Sequence, residues 1–172
     1  MNPAGLRLER LAPDHDLSDF ASGKLELDSW LVPHGLVAQQ MDSARTFLLM
    51  LDQRVVGYFA MTMGSVRRAE PPTKLVRGLP SYPVGMVLLA RLAVERGSQG
   101  RGFGALLLAE ALRKAVMAGE AAAARLVVVD AIDERAAAFY ARYGFVAAPE
   151  HPRRLYRQMK DIRQSLEAAG SS

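Results

Sequence analysis

Cysteine is absent from this 172-residue chain. Its absence excludes disulfides, a thiol nucleophile and thiolate metal sites, and it fits a reducing, cytoplasmic setting. Histidine is scarce: His15, His34 and His151 lie far apart, without the paired spacing of a metal site, so no metal is expected. Long apolar runs are missing too. Arg91 and Glu95 interrupt the best candidate before it nears the roughly 18 residues of a membrane span. No basic-then-apolar leader opens the chain, so neither membrane insertion nor secretion is expected. Repeats and dividing linkers are also lacking, which predicts a single domain over residues 1–172 with a short amphipathic tail at 161–172 that frays over Gly170–Ser172. Half of the residues are hydrophobic and 23% are charged, as in ordinary globular proteins, and the formal charge of +4 favours an anionic partner.

The chain is organised around Leu88 to Leu108. Met86 to Val94 reads as a buried strand, and Phe103, Leu106, Leu107 and Leu112 share a helical face. Between them stands Gln99-Gly100-Arg101-Gly102-Phe103-Gly104. Glycines there permit turns closed to other residues and bring a ligand close to main-chain N–H groups. The following helix begins with unpaired N–H donors and the positive end of its dipole, so the junction suits a phosphate. The alternative is a tight strand-to-helix turn with no ligand.

Upstream, Leu6, Leu8 and Leu11 suggest a first strand, and Asp16 to Phe20 a capped helical turn. Leu25 to Met41 has helical periodicity interrupted by Pro33 and Gly35, which predicts two pieces or a kink, with Trp30 in the core. Thr46–Leu51 and Val55–Met63 form a hairpin about Asp52-Gln53-Arg54. Arg67 to Pro83 is a proline-rich loop of basic character. Downstream, the Phe103 helix should end near Ala118 with Gly119 as its cap. Arg125 to Asp130, with the apolar run Leu126-Val127-Val128-Val129, reads as a buried parallel strand, and Asp133 as the N-cap of a helix running to about Tyr143 and closed by Gly144. Phe145-Val146 and Leu155–Met159 make a last strand pair.

Two nucleotide folds compete for the glycine loop. Walker A fails because no Lys-Ser/Thr pair follows the glycines. Gly100-x-Gly102-x-x-Ala105 with Asp130 matches the permissive dinucleotide fingerprint. Against it, Glu95 to Gln99 separate strand from glycine, and only 42 residues follow Asp130, too few to complete a doubly wound sheet.

The stretch Gln99 to Gly104, placed directly after Leu92-Ala93-Val94, resembles the cofactor loop of the GNAT acetyltransferases. The family's second hallmark, a helix ending in an aromatic pair before Gly-Phe, has its counterpart in Phe139-Tyr140-Ala141-Arg142-Tyr143-Gly144-Phe145. The two lie about 40 residues apart with a strand between them, as that family has them. The resemblance implies an α/β GNAT fold, with a central mixed, mostly antiparallel sheet flanked by helices, and acetyl-CoA as cosubstrate without a metal. It implies cofactor binding by Leu92, Ala93, Val94, Gln99, Gly100, Arg101, Gly102, Phe103, Gly104 and Ala105, with Arg96 assisting, and by Asp133 where many members carry Asn. An N–H of Leu92–Val94 would polarise the thioester carbonyl. Tyr140 takes the family's general-acid role, for which a phenol pKa near 10 is suited; Tyr143 is its decoy, and a core aromatic is the competing reading of Tyr140.

A narrower resemblance runs through Phe20-Ala21-Ser22-Gly23, Leu27-Asp28-Ser29-Trp30-Leu31, Ala44-Arg45-Thr46-Phe47, Gly57-Tyr58-Phe59, Leu89-Ala90-Arg91-Leu92-Ala93-Val94 and His151–Ile162. It is to the GNAT toxins of bacterial toxin–antitoxin pairs. It implies acetylation of the α-amine of aminoacyl-tRNA, blocking translation. It also implies a ribbon-helix-helix antitoxin as partner, DNA contact only through that antitoxin, and a homodimer. No general base stands out. Glu95 is the nearest carboxylate in sequence, and an α-amine, with a pKa of roughly 7.7–8.0 against roughly 10.4 for lysine, has less need of one. Arg67, Arg68, Lys74, Arg77 and Arg153 are the candidate tRNA contacts; on a strand Arg153 and Arg157 would share a face and Arg154 oppose them. Two other readings stay open: a GNAT acting on a small amine or protein N-terminus, and a non-catalytic acetyl-CoA-binding protein.

Overall fold

The computed structural model describes residues 4–171. In chain order these form β1 (Leu6–Arg10), α1 (Leu25–Trp30), a π-helical turn (Leu31–Gly35), α2 (Leu36–Gln40), β2 (Arg45–Leu51), β3 (Arg54–Val66), β4 (Val84–Val94), α3 (Phe103–Ala122), β5 (Leu126–Asp130), α4 (Glu134–Arg142), β6 (Val146–Ala148), β7 (His151–Gln158) and α5 (Met159–Gly170). The strands take the order β1-β2-β3-β4-β5-β7-β6 in a seven-stranded sheet. β4 and β5 run parallel, with Met86–Leu89 opposite Leu126–Val129. The pairs β1–β2, β2–β3, β5–β7 and β6–β7 are antiparallel. The sheet is therefore mixed and mostly antiparallel, as expected. By its contacts the chain divides into two compact units, one of residues up to Thr62 with Ala90–Ala111, the other of Met63–Leu89 with Leu112 onward.

In the first unit, alternation along β2 sends Thr46, Leu48 and Met50 to one face and Phe47 and Leu49 to the other. Leu48 and Met50 join Leu11, Leu31, Val55, Tyr58 and Ala93 in a core cluster against which Leu27, Trp30 and Leu36 pack. On the opposite face Phe47 stacks on its cross-strand partner Phe59, ring centroids 5.1 Å apart. Pro33 lacks the N–H an α-helix would use, and the chain passes it through the π-helical turn. The expected interruption is thus a change of helical pitch. The hairpin turns at Asp52, in the left-handed region at φ 55°. Asp16 to Phe20 makes only a turn. The Ser18 amide and hydroxyl donate to Asp16 Oδ1, holding that carboxyl below its usual pKa, and the Phe20 amide donates to the Leu17 carbonyl without a helix following. Gly57 is needed for close approach, because a Cβ there would lie 2.6 Å from Leu107 Cδ1 and 3.1 Å from the Ala93 carbonyl oxygen.

In the second unit, Val66, Val84, Met86, Leu126, Val128 and Tyr156 form a core cluster with Leu75 and Val76. The proline-rich segment after β3 is therefore not a freely solvated loop. It dips a 3-10 turn (Thr73–Leu75) into the core, and the Leu75 carbonyl accepts from Arg125 Nε at 3.2 Å and Gln158 Nε2 at 2.9 Å. Two boundaries differ from expectation. α3 runs past Gly119 to Ala122, and Ala123 takes the left-handed position at φ 55°. Gly119 instead gives room to Met159, whose Cε would stand 2.8 Å from a Cβ. The tail is ordered as α5 through Gly170, anchored by buried Met159 and Ile162; Ser172 lies outside the described residues. No helix among the described residues is long and apolar enough to cross a membrane.

Candidate active site

The glycine loop is braced before any ligand is considered. The Gln99 side-chain amide donates to the Ser22 carbonyl at 2.9 Å and to the Val94 carbonyl at 3.0 Å, clamping the loop back onto the end of β4. Ser98 is fully buried, and its hydroxyl donates to Glu95 Oε2, whose carboxylate also accepts from Arg54 Nη1 at 2.7 Å. The Arg96 amide donates to the Ala21 carbonyl. Glu95 is thus the hinge-pin of the strand end, and Gln99 shapes the loop.

Gly100 and Gly102 have φ of +81° and +84°, and a Cβ on either would meet nothing within 4 Å. Their glycine identity answers a backbone requirement, since packing imposes none. α3 is 20 residues long, and at this end the Leu106 amide donates back to the Gly102 carbonyl at 3.2 Å. The amides of Phe103, Gly104 and Ala105 precede that bond and have no carbonyl one turn back within the helix. Arg101 is exposed, with its guanidinium 5.0 Å from the centroid of the Phe103 ring, and that ring is buried. Left-handed glycines, consecutive free amides, the helix dipole and an exposed guanidinium make a donor set that fits a pyrophosphate. Leu92, Ala93 and Val94 end β4 in the same unit, so all the expected cofactor residues except Asp133 come together here.

One residue beside this set carries a signal that sequence reasoning missed. Arg91, half-buried on β4, places its guanidinium 4.2 Å from the Trp30 ring centroid. Trp30 stacks on Tyr58 at 6.3 Å, Phe20 meets Tyr58 edge-on at 5.6 Å, and the Tyr58 hydroxyl donates to the Leu27 carbonyl at 2.7 Å. Trp30 thus packs against the core cluster, as expected, but is only half-buried and also carries a cation on its ring. Burial pushes the Tyr58 phenol up, against the pull of Arg91. An arginine in the run Leu89 to Val94, otherwise all Leu, Ala and Val, was the available clue.

The second unit holds the remaining predicted residues. Asp133 is the N-cap of α4: its Oδ1 accepts from the Ala136 amide at 2.8 Å. Tyr140, two turns on, is 7% exposed and packs against Phe139 and Phe145, with ring centroids 5.3 and 5.8 Å away. Burial raises its phenol pKa well above the usual value, so the group stays protonated at neutral pH. Tyr143, the C-cap residue of α4, is exposed. Arg67, Arg68, Lys74 and Arg77 are all exposed on the proline-rich segment. Exposed Arg153 donates from Nη1 to the Ile132 carbonyl. Arg157 is tied to Ser165 Oγ at 2.6 Å, and Arg154 approaches Asp130 at 3.7 Å with its Nε buried and unbonded. Among the described residues no three His, Asp or Glu side chains gather into a group able to hold a metal ion.

Comparison with known proteins gives this geometry a context. A model of the acetyltransferase (GNAT) domain matches residues 42–147. The chain is 38% identical over 154 residues to the tRNA-acetylating toxin of Mycobacterium tuberculosis (strain ATCC 25618 / H37Rv), covering 90% of this chain and 92% of the relative. A tyrosine-to-phenylalanine mutant of KacT superposes with a TM-score of 0.87 at 27% identity, over 93% of this chain and 98% of that one. AtaT complexed with acetyl-methionyl-tRNAfMet superposes with a TM-score of 0.85 at 28% identity, over 94% and 99%. AtaT is also known in the AtaTR assembly bound with acetyl-CoA, and in complex with AtaR bound to DNA.

Proposed function

The chain is an acetyltransferase of the GNAT family, and from that premise we propose that it transfers acetyl from acetyl-CoA to the α-amine of aminoacyl-tRNA, as a translation-blocking toxin of the cytoplasm. The observation that carries the acyl-donor half is the pair of left-handed glycines leading into the free amides of α3. The acceptor half is supported by 38% identity to a tRNA-acetylating toxin over nine-tenths of both chains.

Acetyl-CoA, when bound, supplies the acyl group as an activated thioester. The amides from Gly100 to Ala105 and the Arg101 guanidinium would hold its pyrophosphate, and Asp133 on α4 is a further residue assigned to the cofactor. Main-chain groups of Leu92, Ala93 and Val94 would bind its arm as an added strand is bound, and one N–H among them would polarise the thioester carbonyl. Tyr140 holds a proton at its phenolic oxygen for the departing sulfur. Its buried setting keeps that proton in place at neutral pH, where part of an α-amine is neutral and nucleophilic. An α-amine with a pKa of about 7.7–8.0 is partly neutral at cellular pH, so the chain needs no dedicated base. The exposed cations Arg67, Arg68, Lys74, Arg77 and Arg153 contact tRNA phosphates without reading sequence.

Residues 1–172 act in this reading as one catalytic domain, paired as a homodimer. Its partner is a ribbon-helix-helix antitoxin through which it reaches DNA, a reading supported by the AtaT–AtaR assembly on DNA.

The test is a transfer assay with labelled acetyl-CoA and charged bulk tRNA, comparing wild type with Tyr140→Phe. Label should appear on the aminoacyl group with wild type and fall by about 10²–10⁴-fold in the variant, as loss of a general acid predicts. Tight acetyl-CoA binding with no transfer to any charged tRNA would instead direct the search to small amines and protein N-termini.

A further inference from the structure

A second feature of the surface lies among residues given no part in acetyl transfer. Where β4 begins, Pro80, Tyr82, Pro83 and Gly85 line a groove of about 480 Å³ together with the last turn of α3, Arg125 and Arg163. Tyr82 is 75% exposed, and among the described residues its ring stacks on no other aromatic side chain. Pro80 and Pro83 fix the backbone on either side, so the ring is presented by a stiff segment. Arg125 is equally constrained. Its amide donates to the Gly85 carbonyl at 2.9 Å and its Nε to the Leu75 carbonyl at 3.2 Å, leaving the two terminal nitrogens for a ligand. Arg163 stands exposed on α5, and no carboxylate lines the groove. Gly85 lets the wall close, since a Cβ there would lie 2.9 Å from the Ala123 carbonyl oxygen.

We infer that this groove binds a nucleotide of the RNA substrate, its base stacked on Tyr82 and the flanking phosphates on Arg125 and Arg163. The inference rests on aminoacyl-tRNA being the acceptor. An exposed planar ring sharing a groove with two guanidinium groups suits RNA because every base offers a face to stack, whatever its identity, and each phosphate a charge to pair. An acidic protein segment would use the arginines but has no need of the ring.

The experiment measures binding of deacylated bulk tRNA to the full chain across a salt series. It compares wild type with Tyr82→Ala, Tyr82→Phe and Arg163→Ala, with acetyl-CoA binding and melting temperature recorded for each. Tyr82→Ala should weaken tRNA binding about tenfold while Tyr82→Phe, which keeps the stack, binds as wild type does. Arg163→Ala should lower the slope of log K against log salt by roughly 0.7–0.9, the share of one phosphate contact. Acetyl-CoA binding should be unchanged in all three. Wild-type affinity in Tyr82→Ala overturns the inference, as does an unchanged salt slope in Arg163→Ala even where its melting temperature falls. Polyglutamate binding is measured on the same proteins, and its weakening in Arg163→Ala with tRNA binding intact overturns the inference too and gives the groove to an acidic protein. If the wild type acetylates charged tRNA while the variants bind tRNA normally, only the groove assignment fails. A wild type that neither binds nor acetylates tRNA overturns both.

Discussion

Gly100 and Gly102 carry left-handed dihedrals in open space, so an added methyl would strain the backbone without striking a neighbour. Stability and ligand affinity therefore separate at these positions. Gly102→Ala should cost about 1–2 kcal/mol of backbone strain. A chain relieving that strain must rotate the peptide planes that aim the first amides of α3. The expected result is a KM for acetyl-CoA raised at least several-fold, with the KM for charged tRNA nearly unchanged. Steady-state kinetics with each substrate varied in turn would check it. Equal rises in both constants would mean that the loop serves the fold and not the pyrophosphate.

At the scale of elements, α4 is set by its ends. Asp133 caps the first turn, and Gly144, with φ of +90°, lets the chain reverse into β6. Asp133→Ala should cost about 0.5–2 kcal/mol and Asp133→Asn little, because the amide oxygen caps nearly as well. Thermal melts of the two variants would show it. These termini were legible in the sequence because a cap is a local device, read from a few adjacent residues. So were the hairpin at Asp52, the parallel strand β5 and the glycine loop. What was illegible depends on distant neighbours. Gly119 has the look of a stop signal, but its use is to admit Met159, while Ala123 makes the turn that ends α3. Leu75 and Val76 lie in a segment of prolines and cations, and only Val66, Val84 and Tyr156 closing over them make them core. Trp30 is large enough to suggest full burial, yet it packs against the core cluster only half-buried and carries Arg91 on its face. The glycine loop was readable from spacing, whereas the stack of Arg91 on Trp30 required the fold.

Across the whole molecule, burial has been applied repeatedly to one titratable group. Three of the five tyrosines, Tyr58, Tyr140 and Tyr156, have phenols whose pKa burial raises above the usual value of about 10. A raised pKa in the folded state means that the unfolded chain gives up its phenolic protons first as pH rises. The contribution of these groups to stability is complete below about pH 10 and is lost as the pH climbs from there toward their folded values. The chain has no cysteine, so thiol ionisation adds nothing to this alkaline limb. Melting temperature followed between pH 8 and 11 should hold roughly level at first and then fall steeply above about pH 10. Tyrosinate absorbance should show these three phenols titrating only together with loss of the fold. Tyr58→Phe separates the terms. It removes one ionisable group and should flatten the alkaline limb, while its lost hydrogen bond to the Leu27 carbonyl costs about 1 kcal/mol at neutral pH. A limb of unchanged steepness in that variant would mean that other groups govern alkaline unfolding.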